Sequence, residues 1–157
     1  MQLQDVITRN PETISPDDSI RHATKIMRDC QIGFLPVTDD ERVLGVVTDR
    51  DIVIRAIASG FDPQTTCVRH VMTKDPVQLQ ATDPIEKALE IMARWAIARV
   101  IVTDSDGRIV GVLTSGDAAT ACKGDDRAGQ LTAAIHRRAN KTQPVPMPPP
   151  NAQFVSE

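Results

Sequence analysis

Apolar and polar positions follow one succession of rhythms, and the chain runs through it twice. Thr13-Ile14-Ser15-Pro16 alternates like a short strand. Ile20, Ala23, Ile26, Met27 and Cys30 then recur at helical steps, which predicts a helix with Asp18 as its N-cap and Cys30 on its buried side. Leu35-Pro36-Val37-Thr38 and Val43-Leu44-Gly45-Val46-Val47 read as strands joined by the polar turn Asp39-Asp40-Glu41-Arg42, a hairpin. A second helix is predicted from Thr48 through Ala58, with Gly60 placed to end it.

The succession begins again at Pro76-Val77-Gln78-Leu79, a strand. Asp83-Pro84-Ile85-Glu86 predicts a helix start with Asp83 as N-cap, Pro84 at the first position and Glu86 at the third. Ile85, Ala88, Leu89, Met92 and Trp95 form the inward stripe of that helix. Val100-Ile101-Val102-Thr103 and Ile109-Val110-Gly111-Val112-Leu113 make the second hairpin around Asp104-Ser105-Asp106-Gly107, and Asp117 to Cys122 opens a closing helix. Asp126 to Arg138 predicts one more helix, with Ala128, Leu131 and Ile135 inward. From Thr142 the run Pro144-Val145-Pro146-Met147-Pro148-Pro149-Pro150 predicts an extended, disordered tail, a composition that also suits a peptide ligand.

The two successions are copies. Val6-Ile7-Thr8 matches Val71-Met72-Thr73, Asp18 matches Asp83, Ile26-Met27 matches Ile91-Met92, and Val37-Thr38-Asp39 matches Val102-Thr103-Asp104. The offset of 65 residues becomes 66 after one inserted residue near Gly107. Each copy ends on one signature, Gly45-Val46-Val47-Thr48-Asp49-Arg50-Asp51 and Gly111-Val112-Leu113-Thr114-Ser115-Gly116-Asp117. One copy, at roughly 60 residues, would be marginal alone. The expected organisation is therefore repeat 1 over 1–60 and repeat 2 over 68–123, packed as one pseudo-two-fold module with clefts between the repeats, followed by 124–157 as helix and tail.

Composition narrows the partners. Among 157 residues the formal net charge is −3, aromatic residues are 3% and tyrosine is absent. Neither phosphate-backbone binding by bulk charge nor a base-stacking platform is expected, so no nucleic acid is. No apolar run has the length of a membrane helix, and the start, Met1-Gln2-Leu3-Gln4-Asp5, has no signal-peptide pattern. Cys30, Cys67 and Cys122 are isolated and odd in number, which fits neither a zinc site nor a disulfide framework and points to a reducing cytoplasm. His22, His70 and His136 share no metal-binding spacing. No catalytic triad, Walker-type loop or Cys–His pair occurs, so an enzyme is not expected.

The candidate chemistry lies in the doubled signature. Thr48 and Thr114 sit where a strand hands over to a helix, and backbone N–H groups there favour an anion such as a phosphate. Asp51 and Asp117, three residues on, offer carboxylates that only accept hydrogen bonds, as two neighbouring sugar hydroxyls require. Together they describe a ribonucleotide site. The same spacing also describes a capping box, in which Thr and Asp satisfy each other's backbone amides and bind nothing.

The order strand-helix-strand-strand-helix closing on this signature, twice, resembles the CBS domain, and the tandem resembles a CBS pair, or Bateman module, an α+β fold. The resemblance covers roughly residues 3–122. Thr48-Asp49-Arg50-Asp51-Ile52-Val53-Ile54-Arg55 is most similar to stand-alone two-CBS proteins and to the regulatory insert of inosine monophosphate dehydrogenase. The resemblance implies Asp51 and Asp117 on ribose hydroxyls and Thr48 and Thr114 near phosphate or ribose. It implies that the start of one repeat completes the cleft of the other, with Thr8 and Thr13 near Asp117 and Thr73 and Val77 near Asp51. Val46 and Val112 would pack on adenine. Arg99 stands where a basic residue reaches a phosphate or is simply solvated, whereas its counterpart is Phe34, so the clefts are not expected to be equivalent. A non-catalytic sensor of AMP, ADP or ATP, or of NAD or S-adenosylmethionine, is implied, acting as a homodimer on an unidentified regulated protein. The alternative is a ligand-free dimerisation and interaction scaffold.

Overall fold

The computed structural model describes residues 1–122 together with 126, 129, 130, 133 and 134. In chain order the elements are β1 (Thr8–Arg9), α1 (Ile20–Cys30), β2 (Phe34–Asp39), β3 (Arg42–Thr48), α2 (Asp49–Asp51) running on as a π-helix over Ile52–Ile57, β4 (Thr73–Lys74), β5 (Gln78–Gln80), α3 (Ile85–Trp95), β6 (Arg99–Thr103), β7 (Ile109–Thr114) and α4 (Ser115–Ala121). The fold is mixed α+β, with the helix-strand-strand-helix part of the sequence repeat present in both halves.

Two compact units form, and each takes residues from both repeats. One, here the Asp51 unit, comprises Asn10–Pro76 and Gly107–Ile109. The other, the Asp117 unit, comprises Met1–Arg9, Val77–Asp106 and the described residues from Val110 on. The opening segment of repeat 1 thus belongs with the body of repeat 2, and the opening segment of repeat 2 with the body of repeat 1.

In the Asp117 unit the strand order is β1-β7-β6-β5, with β1 antiparallel to β7 and β5 parallel to β6. Its core joins Leu3 from the chain start to Leu79, Leu89, Met92, Val102 and Leu113. In the Asp51 unit the order is β2-β3-β4, antiparallel throughout. Its core joins Val71 to Ile20, Leu35, Val37, Val47 and Ile52. The β2–β3 turn places Asp40 and Glu41 at φ 46° and 64°, the left-handed pair that a tight hairpin needs.

Four local expectations are corrected. Residues 13–16 do not extend into a strand: only Ile14 bridges, in parallel, to Val37. Pro11 and Pro16 lack the N–H groups that would lengthen the ladder. Asp18 and Asp83 are not the N-caps. Each bends back so that its Oδ2 accepts from a backbone N–H three residues earlier, of Ser15 at 3.3 Å and Gln80 at 2.9 Å. The helices begin one residue later, after Ser19, whose hydroxyl accepts from His22 N–H, and after Pro84. Cys30 is exposed. It is the last residue of α1, the chain turns away at Gln31 with φ 54°, and the buried stripe stops at Met27. The helix after Thr48 is π-type over Ile52–Ile57, closed by the Ala58 N–H to Val53 carbonyl bond of 2.9 Å. Its run Ile52-Val53-Ile54 is β-branched, a composition that crowds an α-helix.

The inward residues expected for 126–138, namely Ala128, Leu131 and Ile135, lie outside the described residues, as do His136 and the proline-rich stretch. Among the described residues no helix is long and apolar enough to cross a membrane.

Candidate functional site

At each signature glycine the opening segment of the other repeat comes close. A Cβ on Gly45 would meet the Thr73 carbonyl oxygen at 2.6 Å, and one on Gly111 would meet the Thr8 carbonyl oxygen at 2.7 Å. Only glycine lets these backbones approach so nearly. The registers are matched: Val46 stands opposite Thr73, and Val112 opposite Thr8. Both valines are almost fully buried, at 8% and 7% exposure.

Past the glycine each strand delivers its threonine to a helix start. Thr48 Oγ1 accepts from Asp51 N–H at 3.1 Å while Asp51 Oδ2 accepts from Thr48 N–H at 3.1 Å. Thr114 Oγ1 accepts from Asp117 N–H at 3.1 Å and donates to Asp117 Oδ2 at 2.7 Å, and the reciprocal Thr114 N–H bond is 3.4 Å. Both signatures are therefore capping boxes. Capping and binding are compatible readings, because the cap uses Oδ2 and a carboxylate offers about four lone-pair sites on two oxygens. Among the described residues no hydrogen bond or ion pair reaches Oδ1 of Asp117.

Asp51 differs. Its Oδ1 lies 3.5 Å from Nη2 of Arg55, one helical turn on. Arg55 Nη1 donates to the Val71 carbonyl at 2.9 Å and to Thr73 Oγ1 at 3.2 Å. Sequence reasoning missed Arg55. The signal was present as an Asp–Arg pair at i and i+4 in repeat 1 that repeat 2 replaces with Ala121.

The other expected site residues are placed as follows. Thr8 shares a unit with Asp117, and Thr73 with Asp51. Thr13 lies in the Asp51 unit and Val77 in the Asp117 unit. Arg99 is exposed at the head of β6, and Phe34 is half-buried at the head of β2. Among the described residues no group of three or more His, Cys, Asp or Glu side chains could hold a metal ion.

Comparison with known proteins agrees with this architecture. The family model for the CBS domain matches residues 3–57 and 68–124. The CBS domain-containing protein YhcV of Bacillus subtilis (strain 168) is 32% identical over 136 residues, covering 86% of this chain and 96% of that protein. Among solved structures, the CBS domain protein PAE2072 from Pyrobaculum aerophilum, complexed with AMP, is 26% identical with a TM-score of 0.69, over 85% of this chain and 99% of that one. The CBS domain pair of MJ0100, in complex with 5-methylthioadenosine and S-adenosyl-L-methionine, is 26% identical with a TM-score of 0.69, over 79% and 97%.

Proposed function

For this chain, which belongs to the CBS domain family, we propose a non-catalytic regulatory role: it binds AMP or another adenosyl ligand and passes that occupancy to a partner protein. The observation that carries the proposal is the doubled arrangement. In each unit a capped aspartate follows a strand whose buried valine stands opposite a threonine from the other repeat. Asp51 and Asp117 hold the ribose hydroxyls, Thr48 and Thr114 lie beside the ribose or phosphate, and Val46 and Val112 pack on the base. Thr8, Thr13, Thr73, Val77 and Arg99 complete the lining. PAE2072 with AMP and MJ0100 with S-adenosyl-L-methionine support the adenosyl class. ADP, ATP and NAD share that adenosine moiety.

A homodimer in a reducing cytoplasm belongs to the same proposal. The three cysteines are unpaired. Val53, Ile54 and Ile57 on the π-helical turn, with Phe61 after it, are 48–54% exposed. This is the apolar surface that a second copy would cover. The same patch favours the second reading, a scaffold that pairs without any ligand.

A thermal-shift series separates the readings. It uses AMP, ADP, ATP, NAD and S-adenosylmethionine, with GTP as control. A ligand at 100 times its dissociation constant adds about 2.7 kcal/mol to folding, a rise of several degrees for a chain of this size. A shift with adenosyl ligands alone supports the sensor. Equal shifts with GTP exclude adenosyl selectivity, and no shift with any leaves the scaffold.

A further inference from the structure

The two signature turns share their glycine, threonine and aspartate, differ at Val47/Leu113, Asp49/Ser115 and Arg50/Gly116, and differ again one helical turn past the aspartate. Asp51, Val71 and Thr73 correspond to Asp117, Val6 and Thr8, while Arg55 corresponds to Ala121. In the Asp51 unit one guanidinium joins all three of its partners, at 3.5 Å to Asp51 Oδ1, 2.9 Å to the Val71 carbonyl and 3.2 Å to Thr73 Oγ1. In the Asp117 unit a methyl group stands in its place.

We propose that Arg55 makes the two sites unequal, so that an adenosyl ligand binds first through Asp117 and reaches Asp51 only by displacing the Arg55 guanidinium. The inference rests on the adenosyl-binding reading above. Ribose hydroxyls and guanidinium N–H groups are both donors, and they compete for the same carboxylate oxygen. Arg55 also bonds Thr73, so it spans from the carboxylate to the strand residue assigned to the same site. A half-exposed ion pair is weak alone. Here it is reinforced by two further hydrogen bonds from the same guanidinium. Among the described residues nothing comparable must be displaced from Asp117.

Isothermal titration of the full chain tests this, with AMP and then S-adenosylmethionine as probes. The wild type is expected to show one tight site per chain and a second about ten-fold or more weaker, the cost of displacing roughly one charged hydrogen bond. Arg55→Ala should strengthen the second site and leave the first unchanged. Arg55→Met, which keeps the aliphatic stem, should do the same if alanine loosens the fold. Ala121→Arg should weaken the tight site by a similar factor, and Asp117→Asn should weaken it by about 10- to 150-fold. Circular dichroism midpoints establish that each variant is folded.

Two equal sites in the wild type would overturn the inference. So would weaker binding in Arg55→Ala, which would make the guanidinium a ligand contact. Unchanged binding in a folded Ala121→Arg would also overturn it. If folded wild type and Arg55→Ala both bind neither probe, the adenosyl reading falls and the inference with it. Binding at two equal sites removes the inference alone.

Discussion

A methyl group on Gly45 would stand 2.6 Å from the carbonyl oxygen of Thr73, a backbone atom that cannot swing aside. The ladder between β3 and β4 would have to open. Gly45→Ala is therefore expected to cost about 1–3 kcal/mol, the usual range for overpacking, and Gly111→Ala the same against Thr8. Gly116 is the control. The nearest atom to its added Cβ lies at 3.7 Å, and the position is helical and exposed. Gly116→Ala should stabilise by roughly 0.5–1 kcal/mol. Urea unfolding of the three variants checks the ordering, and Gly45→Ala no less stable than Gly116→Ala would contradict the close approach.

Because Asp117 caps α4 through Oδ2 and, among the described residues, no bond reaches its Oδ1, its two roles can be separated by substitution. Asp117→Ala removes the Oδ2 acceptor and should cost about 0.5–2 kcal/mol of stability. Asp117→Asn keeps an oxygen for the Thr114 N–H, so its loss should be smaller. Both variants should lose AMP affinity by about 10- to 150-fold, the value of a hydrogen bond to a charged acceptor. Denaturation and AMP titration on the same preparations read the two effects. Wild-type affinity in the asparagine variant would remove Asp117 from the ligand.

The two hairpins and both Thr-x-x-Asp turns were legible because each depends on residues close in sequence, and the repeat because one pattern recurs 65 residues on. The N-caps were misread by one residue for a local reason. Asp18 and Asp83 have the right side chain for a cap, but their carboxylates fold back onto Ser15 and Gln80. Cys30 was misread because periodicity carries no information about where a helix stops being covered. The exchange of opening segments, Leu3 into one core and Val71 into the other, is a long-range pairing that no window of residues reveals. Arg55 was visible only by subtracting one repeat from the other. In isolation it is one of many helical arginines, and its meaning comes from Ala121 in the matching place.

The exposure of Cys30 makes a chemical prediction. Cys67 and Cys122 are both part-buried, and all three thiols are free. A water-soluble disulfide reagent should therefore modify one thiol of the native protein faster than the other two, since access governs the rate when reactivity is ordinary. Cys30→Ser should abolish the fast phase and leave the slow ones. A fast phase that survives the substitution would return Cys30 to the interior.

Trp95 is the single tryptophan, and its indole N–H is buried without a hydrogen-bond partner among the described residues. The Arg94 guanidinium carbon lies 5.7 Å from the ring centroid, a contact with the π face that leaves the N–H unsatisfied. An unpaired buried donor costs about 1–3 kcal/mol. Trp95→Phe removes that donor and keeps an aromatic ring against the α3 core, so stability should stay within about 1 kcal/mol of wild type. Trp95→Ala loses the ring as well and should cost roughly 2–4 kcal/mol, somewhat under the range for a fully buried tryptophan. Urea unfolding followed by far-ultraviolet circular dichroism serves all three proteins, since the fluorophore itself is changed. If phenylalanine costs as much as alanine, the indole N–H is bonded in the folded protein and its isolation at this position is refuted.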